Sequence, residues 1–137
     1  VNKFYSFLQK NKKQYIYFPL ALYWLILLVA TSLPSKAVPA IGIHDKFEHF
    51  FAYLILSTLL ALTFYFQEKW KNLNRNWLKW TAFVGIFYGI IDEVHQYFIP
   101  GRFCEFFDLL SNTFGIIFGI ILVKIFIDKS KISLDAS

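Results

Sequence analysis

Water-compatible sequence is what this chain has least of. Only 17% of its 137 residues are charged, against 57% hydrophobic and 21% aromatic, and the mean hydropathy is +0.48. A soluble fold would need polar or amphipathic sequence to cover so much apolar surface, and too little of it remains. A single cysteine, Cys104, excludes a disulfide within the chain. Gly-x-Ser-x-Gly and His-Glu-x-x-His are both missing, so neither a serine-hydrolase elbow nor a helical zinc motif is written in the sequence. The basic residues give a net charge of +5 but are divided among separate segments, so no single surface suits a nucleic acid.

What the chain does contain is four apolar stretches near the roughly 20 residues that span a hydrocarbon core. These are Tyr15 to Leu33, Phe47 to Phe66, Trp80 to Ile99 and Phe106 to Ile127. They predict an all-α membrane protein of four transmembrane helices arranged as two helical hairpins. A basic N-terminal segment at the membrane interface occupies 1–14, the four-helix domain 15–127, and a polar cytoplasmic tail without fixed structure 128–137. The first span, with its basic flank, reads as an uncleaved signal anchor.

Charge predicts the orientation. Lys3, Lys10, Lys12 and Lys13 precede the first span, Lys69, Lys71, Arg75 and Lys79 lie between the second and third, and Lys124, Lys129 and Lys131 end or follow the fourth. The positive-inside rule then puts both termini and the middle loop, Gln67 to Lys79, in the cytoplasm of a cell with an inner membrane. The loops Pro34 to Asp45 and Pro100 to Glu105 face outward, opening on the similar tripeptides Pro34-Ser35-Lys36 and Pro100-Gly101-Arg102.

Against this apolar background the run Asp92-Glu93-Val94-His95-Gln96 stands out. An ionised carboxylate near the bilayer centre costs roughly 2.5 to 3.5 kcal/mol on insertion scales, so adjacent acids must face protein or water. Helical spacing supplies candidate neighbours: Lys46, His49, Tyr53 and Ser57 in the second span, Gly85, Gly89, Asp92 and Gln96 in the third, and Asp108, Asn112, Gly115 and Gly119 in the fourth. Such offsets put each set on one helix face, and the three faces are expected to converge. Asp92 precedes Pro100 by eight residues, which places it about 12 Å below the turn at about 1.5 Å per residue. His44, His49 and His95, with Asp45, Glu48, Asp92, Glu93, Glu105 and Asp108, all fall toward this outer side. The pairs Gly85/Gly89 and Gly115/Gly119 are small-xxx-small motifs that let helices approach closely.

These residues, in this order, resemble the VanZ-like family of small bacterial membrane proteins over roughly Leu33 to Gly119. The resemblance rests on Asp45-Lys46-Phe47-Glu48-His49-Phe50 with Tyr53, on Tyr88-Gly89-Ile90-Ile91-Asp92-Glu93-Val94-His95-Gln96, on Pro100-Gly101-Arg102, and on Asp108 with Asn112, Gly115 and Gly119. It implies a functional pocket of Lys46, His49, Tyr53, Asp92, Glu93, Gln96, Arg102, Asp108 and Asn112. Through the family's namesake it implies a link to resistance against the glycopeptide teicoplanin.

Three classes of function fit. A binding protein would hold a lipid-linked or peptidoglycan-related envelope ligand, with Arg102 and Lys46 gripping a phosphate or carboxylate. An acid/base enzyme acting on a lipid-linked substrate would pair His49 with Asp92 or Glu93. A metal-dependent version would draw on His49, His95, Asp92, Glu93 or Asp108, although no metal or other cofactor is expected. A small transporter subunit is the third class, without the discontinuous helices such sites often use. The expected partners are membrane lipids and the envelope ligand.

Overall fold

The computed structural model describes residues 2–34 and 42–135, all helix, turn or coil with no strand among them. The first helix, α1 (Asn2–Lys10), is short and leads into a π-helical turn at Lys13–Tyr17 and then α2 (Phe18–Thr31). The wide turn has a local cause. Pro19 has no N–H to give the Tyr15 carbonyl, and the turn just before it is closed instead by Phe18 N–H bonding to Lys13 O. The remaining helices are α3 (Gly42–Phe66), the one-turn α4 (Lys71–Arg75), α5 (Trp77–Tyr97) and α6 (Phe106–Asp135).

The bundle is built around the pairing of α3 with α6, and glycine makes that approach possible. A Cβ at Gly115 would strike the Phe50 carbonyl oxygen and lie 2.9 Å from Leu54 N; one at Gly119 would strike Ser57 Oγ and lie 2.7 Å from Leu54 O. The two backbones are in contact there, as a small-xxx-small face allows. On α5, Gly85 sits against Ile116 and Gly89 against the Tyr53 ring and Asn112 Cβ, so α5 rests on both partners. α2 joins through Tyr23 Oη donating to Ala52 O at 3.0 Å and through Trp24 set edge-on to Tyr88. Leu20, Leu27, Leu56, Leu60 and Ile116 fill the shared core.

Outside and inside are reversed relative to a soluble protein. α5 buries Thr81, Gly85, Gly89, Asp92, Glu93 and Gln96 while exposing Phe83, Ile86, Phe87, Ile90, Ile91 and Val94. Large apolar side chains also cover the outer faces of α2 and α6, far more than a monomer leaves to water. Lipid is the solvent that fits such a surface.

Three helices, rather than the four expected, are long and apolar enough to cross a membrane by length and composition: Lys13–Thr31, Asp45–Phe66 and Phe106–Ile132. α5 has the length, but Lys79 and the run Asp92, Glu93, His95 and Gln96 lower its hydropathy. The polar tail also departs from expectation, because α6 continues to Asp135 and buries Ser130, whose hydroxyl donates to Phe126 O at 2.7 Å. The middle loop is likewise folded: it carries α4, and Gln67 closes a turn by accepting from Trp70 N–H and donating to Trp70 O. Of the two matching tripeptides, Ser35 and Lys36 lie outside the described residues. In the other, Arg102 N–H bonds to Ile99 O with Pro100 and a positive-φ Gly101 between them, the arrangement of a type II turn.

At the opposite end of the bundle, α1 packs across α3 and α6. Tyr5 lies against Phe66 and Phe126, and its hydroxyl shares a 3.1 Å hydrogen bond with that of Tyr65. Burial, followed by that bond, pushes the Tyr5 phenol up to about 12.

Candidate functional site

The ends of the bundle are not alike. Where α3 and α6 begin and α5 ends, all nine residues of the expected pocket come together. Tyr53, Asp92, Glu93, Gln96, Asp108 and Asn112 are buried, Asn112 completely. Helical spacing explains the convergence. His49 and Tyr53 stand one turn apart on α3, Asp92 and Gln96 one turn apart on α5, and Asp108 and Asn112 one turn apart on α6.

One branch of the network runs from the α5–α6 turn to the core. Arg102 donates to Leu33 O and Ala30 O at 3.0 and 3.2 Å, satisfying carbonyls at the end of α2, and to Gln96 Oε1 at 3.0 Å. With its oxygen so occupied, Gln96 turns its amide nitrogen to Asp92 Oδ2 at 3.4 Å. Tyr53 Oη donates to the same oxygen at 3.0 Å. Asp92 is therefore held as an acceptor by two donors, the state that suits an ionised carboxylate.

A second branch lies between α3 and α6. Lys46 Nζ bonds Asp108 Oδ1 at 2.6 Å and Glu105 Oε2 at 2.7 Å. His49 Nδ1 is 3.0 Å from Asn112 Oδ1 and 3.7 Å from Glu93 Oε1, while Nε2 faces Asp45 Oδ1 at 3.9 Å and Asp108 Oδ2 at 4.0 Å. Glu93 Oε2 accepts the Glu105 N–H at 3.3 Å. Its other oxygen, Oε1, is buried without a hydrogen-bond partner, and so is Asn112 Nδ2.

Within the described residues of the cluster five carboxyl groups, Asp45, Asp92, Glu93, Glu105 and Asp108, stand against Lys46, Arg102 and the imidazole of His49. Both cations are already committed, Lys46 to two carboxylates and Arg102 to backbone and amide oxygens. Lys46 is neutralised by its two carboxylates, whereas Arg102 meets only neutral oxygens and keeps N–H donors to spare.

The family model described as VanZ/LLP1 matches residues 4–127. The chain belongs to the VanZ/LLP1 family. No curated protein and no solved structure matches it. In this VanZ/LLP1 chain the resemblance seen from Leu33 to Gly119 therefore extends nearly from end to end.

Two members of the network lay outside the expected pocket. Asp45 faces His49 from one turn earlier on α3, a relation that the i, i+4 spacing already offers. Glu105 binds Lys46 from an irregular segment before α6, where no periodicity gives a direction. Of the residues considered for a metal, His49 and Asp108 have ligand atoms grouped with Asp45 within 4.8 Å. Asp92 is engaged with Tyr53 and Gln96, and His95 is half-buried outside that group. The side chain of His44 is outside the described residues. Cys104 is exposed and has no place in the network.

Proposed function

We propose that this VanZ/LLP1 protein is a multi-pass inner-membrane protein whose polar cluster faces the extracytoplasmic side and binds a lipid-linked or peptidoglycan-related envelope component. The observation that carries this reading is the incomplete network. An ion-pair lattice serving only to join helices would satisfy its own groups, whereas Glu93 Oε1 and Asn112 Nδ2 are buried beside His49 without partners. Each such group costs about 1 to 3 kcal/mol. A ligand that supplies the missing donor and acceptor offsets that cost.

Four membrane crossings remain the best arrangement under this proposal. Of the polar residues that depress α5's hydropathy, Asp92, Glu93 and Gln96 are buried within the bundle, Lys79 is exposed near the opposite end of the helix, and the side left open between them carries large apolar residues. A helix partnered in this way meets lipid only with its apolar face. The lysine and arginine distribution supports cytoplasmic termini, and this sets the cluster outward. A role in resistance to teicoplanin-type glycopeptides belongs to the same proposal: a bound envelope component alters what the antibiotic meets at the surface.

The test is Asp92→Asn in cells whose glycopeptide susceptibility depends on this protein. Loss of the phenotype with expression and thermal midpoint near parent supports the pocket, and parallel loss of folding points to a structural network. The juxtaposition of His49 and Glu93 favours a second reading, acid/base catalysis on an envelope lipid. A new product by mass spectrometry from extracted lipids, absent with His49→Ala, would select it.

A further inference from the structure

We infer that Asp45, His49 and Asp108 form a site for one divalent transition-metal cation of the zinc type. Asp45 and His49 come from α3 and Asp108 from α6, so no contiguous motif announces the set. The imidazole is what makes it more than an acidic patch. Nδ1 lies 3.0 Å from Asn112 Oδ1 and 3.7 Å from Glu93 Oε1, and in the tautomer with its proton on Nδ1 the Nε2 lone pair faces Asp45 Oδ1 and Asp108 Oδ2. A histidine whose far nitrogen is held by an amide or carboxylate oxygen is how metal-bound imidazoles are oriented.

In that tautomer three acceptor atoms converge, one from each residue. Nε2 is 3.9 and 4.0 Å from the two carboxylate oxygens, too far for hydrogen bonds. Around a tetrahedral zinc with bonds of about 2.0 to 2.2 Å, ligand atoms stand about 3.4 Å apart, so the two His49 separations need to close by roughly half an ångström, and the two carboxylates, within 4.8 Å of each other, close with them. Lys46 occupies Asp108 Oδ1 and leaves Oδ2 for the ion. Behind the ring, on the edge away from the ion, Glu93 is 2% exposed with its Oε1 3.7 Å from Nδ1. Calcium and magnesium favour all-oxygen shells, whereas one nitrogen with two carboxylates suits zinc, manganese or iron. The half-exposed Asp45 gives the ion a way in from water.

With three protein ligands one position stays open. An anionic oxygen of a ligand fits there, where Lys46 is already neutralised by Glu105 and Asp108. This extension rests on the envelope-binding reading; the metal site itself does not.

The full-length protein, purified without a histidine tag and stripped of metal, is titrated with zinc chloride; bound zinc per chain and the thermal midpoint are read. One zinc per chain and a raised midpoint are expected. Asp45→Asn and His49→Ala should each lose stoichiometric binding, Asn112→Ala should weaken it about 10- to 100-fold, and His95→Ala should bind as the parent does. Asp45 is half-exposed, so its variant keeps the metal-free midpoint and remains decisive if His49→Ala fails to fold. Substoichiometric zinc in the parent, or unchanged binding in Asp45→Asn, would overturn the site. Either result leaves the cellular effect of Asp92→Asn to judge the envelope-binding reading separately.

Discussion

Alanine at Gly115 and alanine at Gly89 should move stability in opposite directions, although both glycines belong to small-xxx-small motifs. At Gly115 the new Cβ strikes Phe50 O and comes within 2.9 Å of Leu54 N and 3.2 Å of Phe50 C, all backbone atoms of α3. No rotamer change relieves that contact, so α3 and α6 must separate. Overpacking of this kind costs about 1 to 3 kcal/mol and sometimes more, against which the helix propensity of alanine over glycine returns only about 0.8 to 1.0 kcal/mol. A backbone clash this close belongs at the upper end of that range, so a net loss of about 2 kcal/mol follows. At Gly89 the nearest atoms are Tyr53 Cε1 at 3.4 Å and Asn112 Cβ at 3.7 Å, ordinary contact distances. Gly89→Ala should therefore be neutral or stabilising by up to about 1 kcal/mol. Reversible unfolding in mixed detergent micelles, followed by tryptophan fluorescence and circular dichroism, reads both. Parental stability in Gly115→Ala, or equal losses in the two variants, would refute the backbone contact between α3 and α6.

Two further outcomes follow from named contacts. Tyr53→Phe removes a buried hydroxyl donating to a carboxylate, and by the same unfolding assay should lose about 1.5 to 3 kcal/mol; a change under about 0.5 kcal/mol would mean that Gln96 alone satisfies Asp92. Tyr5 gives a pH signature. Its phenol loses a proton at about 12 in the folded protein and at about 10 when unfolded, so the folded state binds more protons between those values and stability falls as pH rises through them. Tyr5→Phe should flatten that fall, and an unchanged slope would show that the Tyr5 to Tyr65 contact is not kept.

Much of this arrangement was legible in the sequence because helical spacing fixes which residues share a face. The i, i+4 relations of His49 with Tyr53, Asp92 with Gln96 and Asp108 with Asn112 were enough to bring three polar stripes to one end. Spacing does not fix partners between helices. Lys46 and Arg102 read as free grips for an anion, yet the fold turns one onto Glu105 and Asp108 and the other onto the carbonyls of α2. Two further readings changed. Lys129 and Lys131 suggested a loose tail where α6 continues, and the third expected span, in α5, is not among the three helices long and apolar enough to cross because its buried acids lower its hydropathy.

The central claim, that the cluster is completed by something other than protein, is most directly tested by a high-resolution experimental structure of the protein extracted with its native lipids. The account predicts density larger than a water molecule within hydrogen-bond reach of Glu93 Oε1 and Asn112 Nδ2. Those two atoms bonded only to protein or to a single bridging water would contradict it.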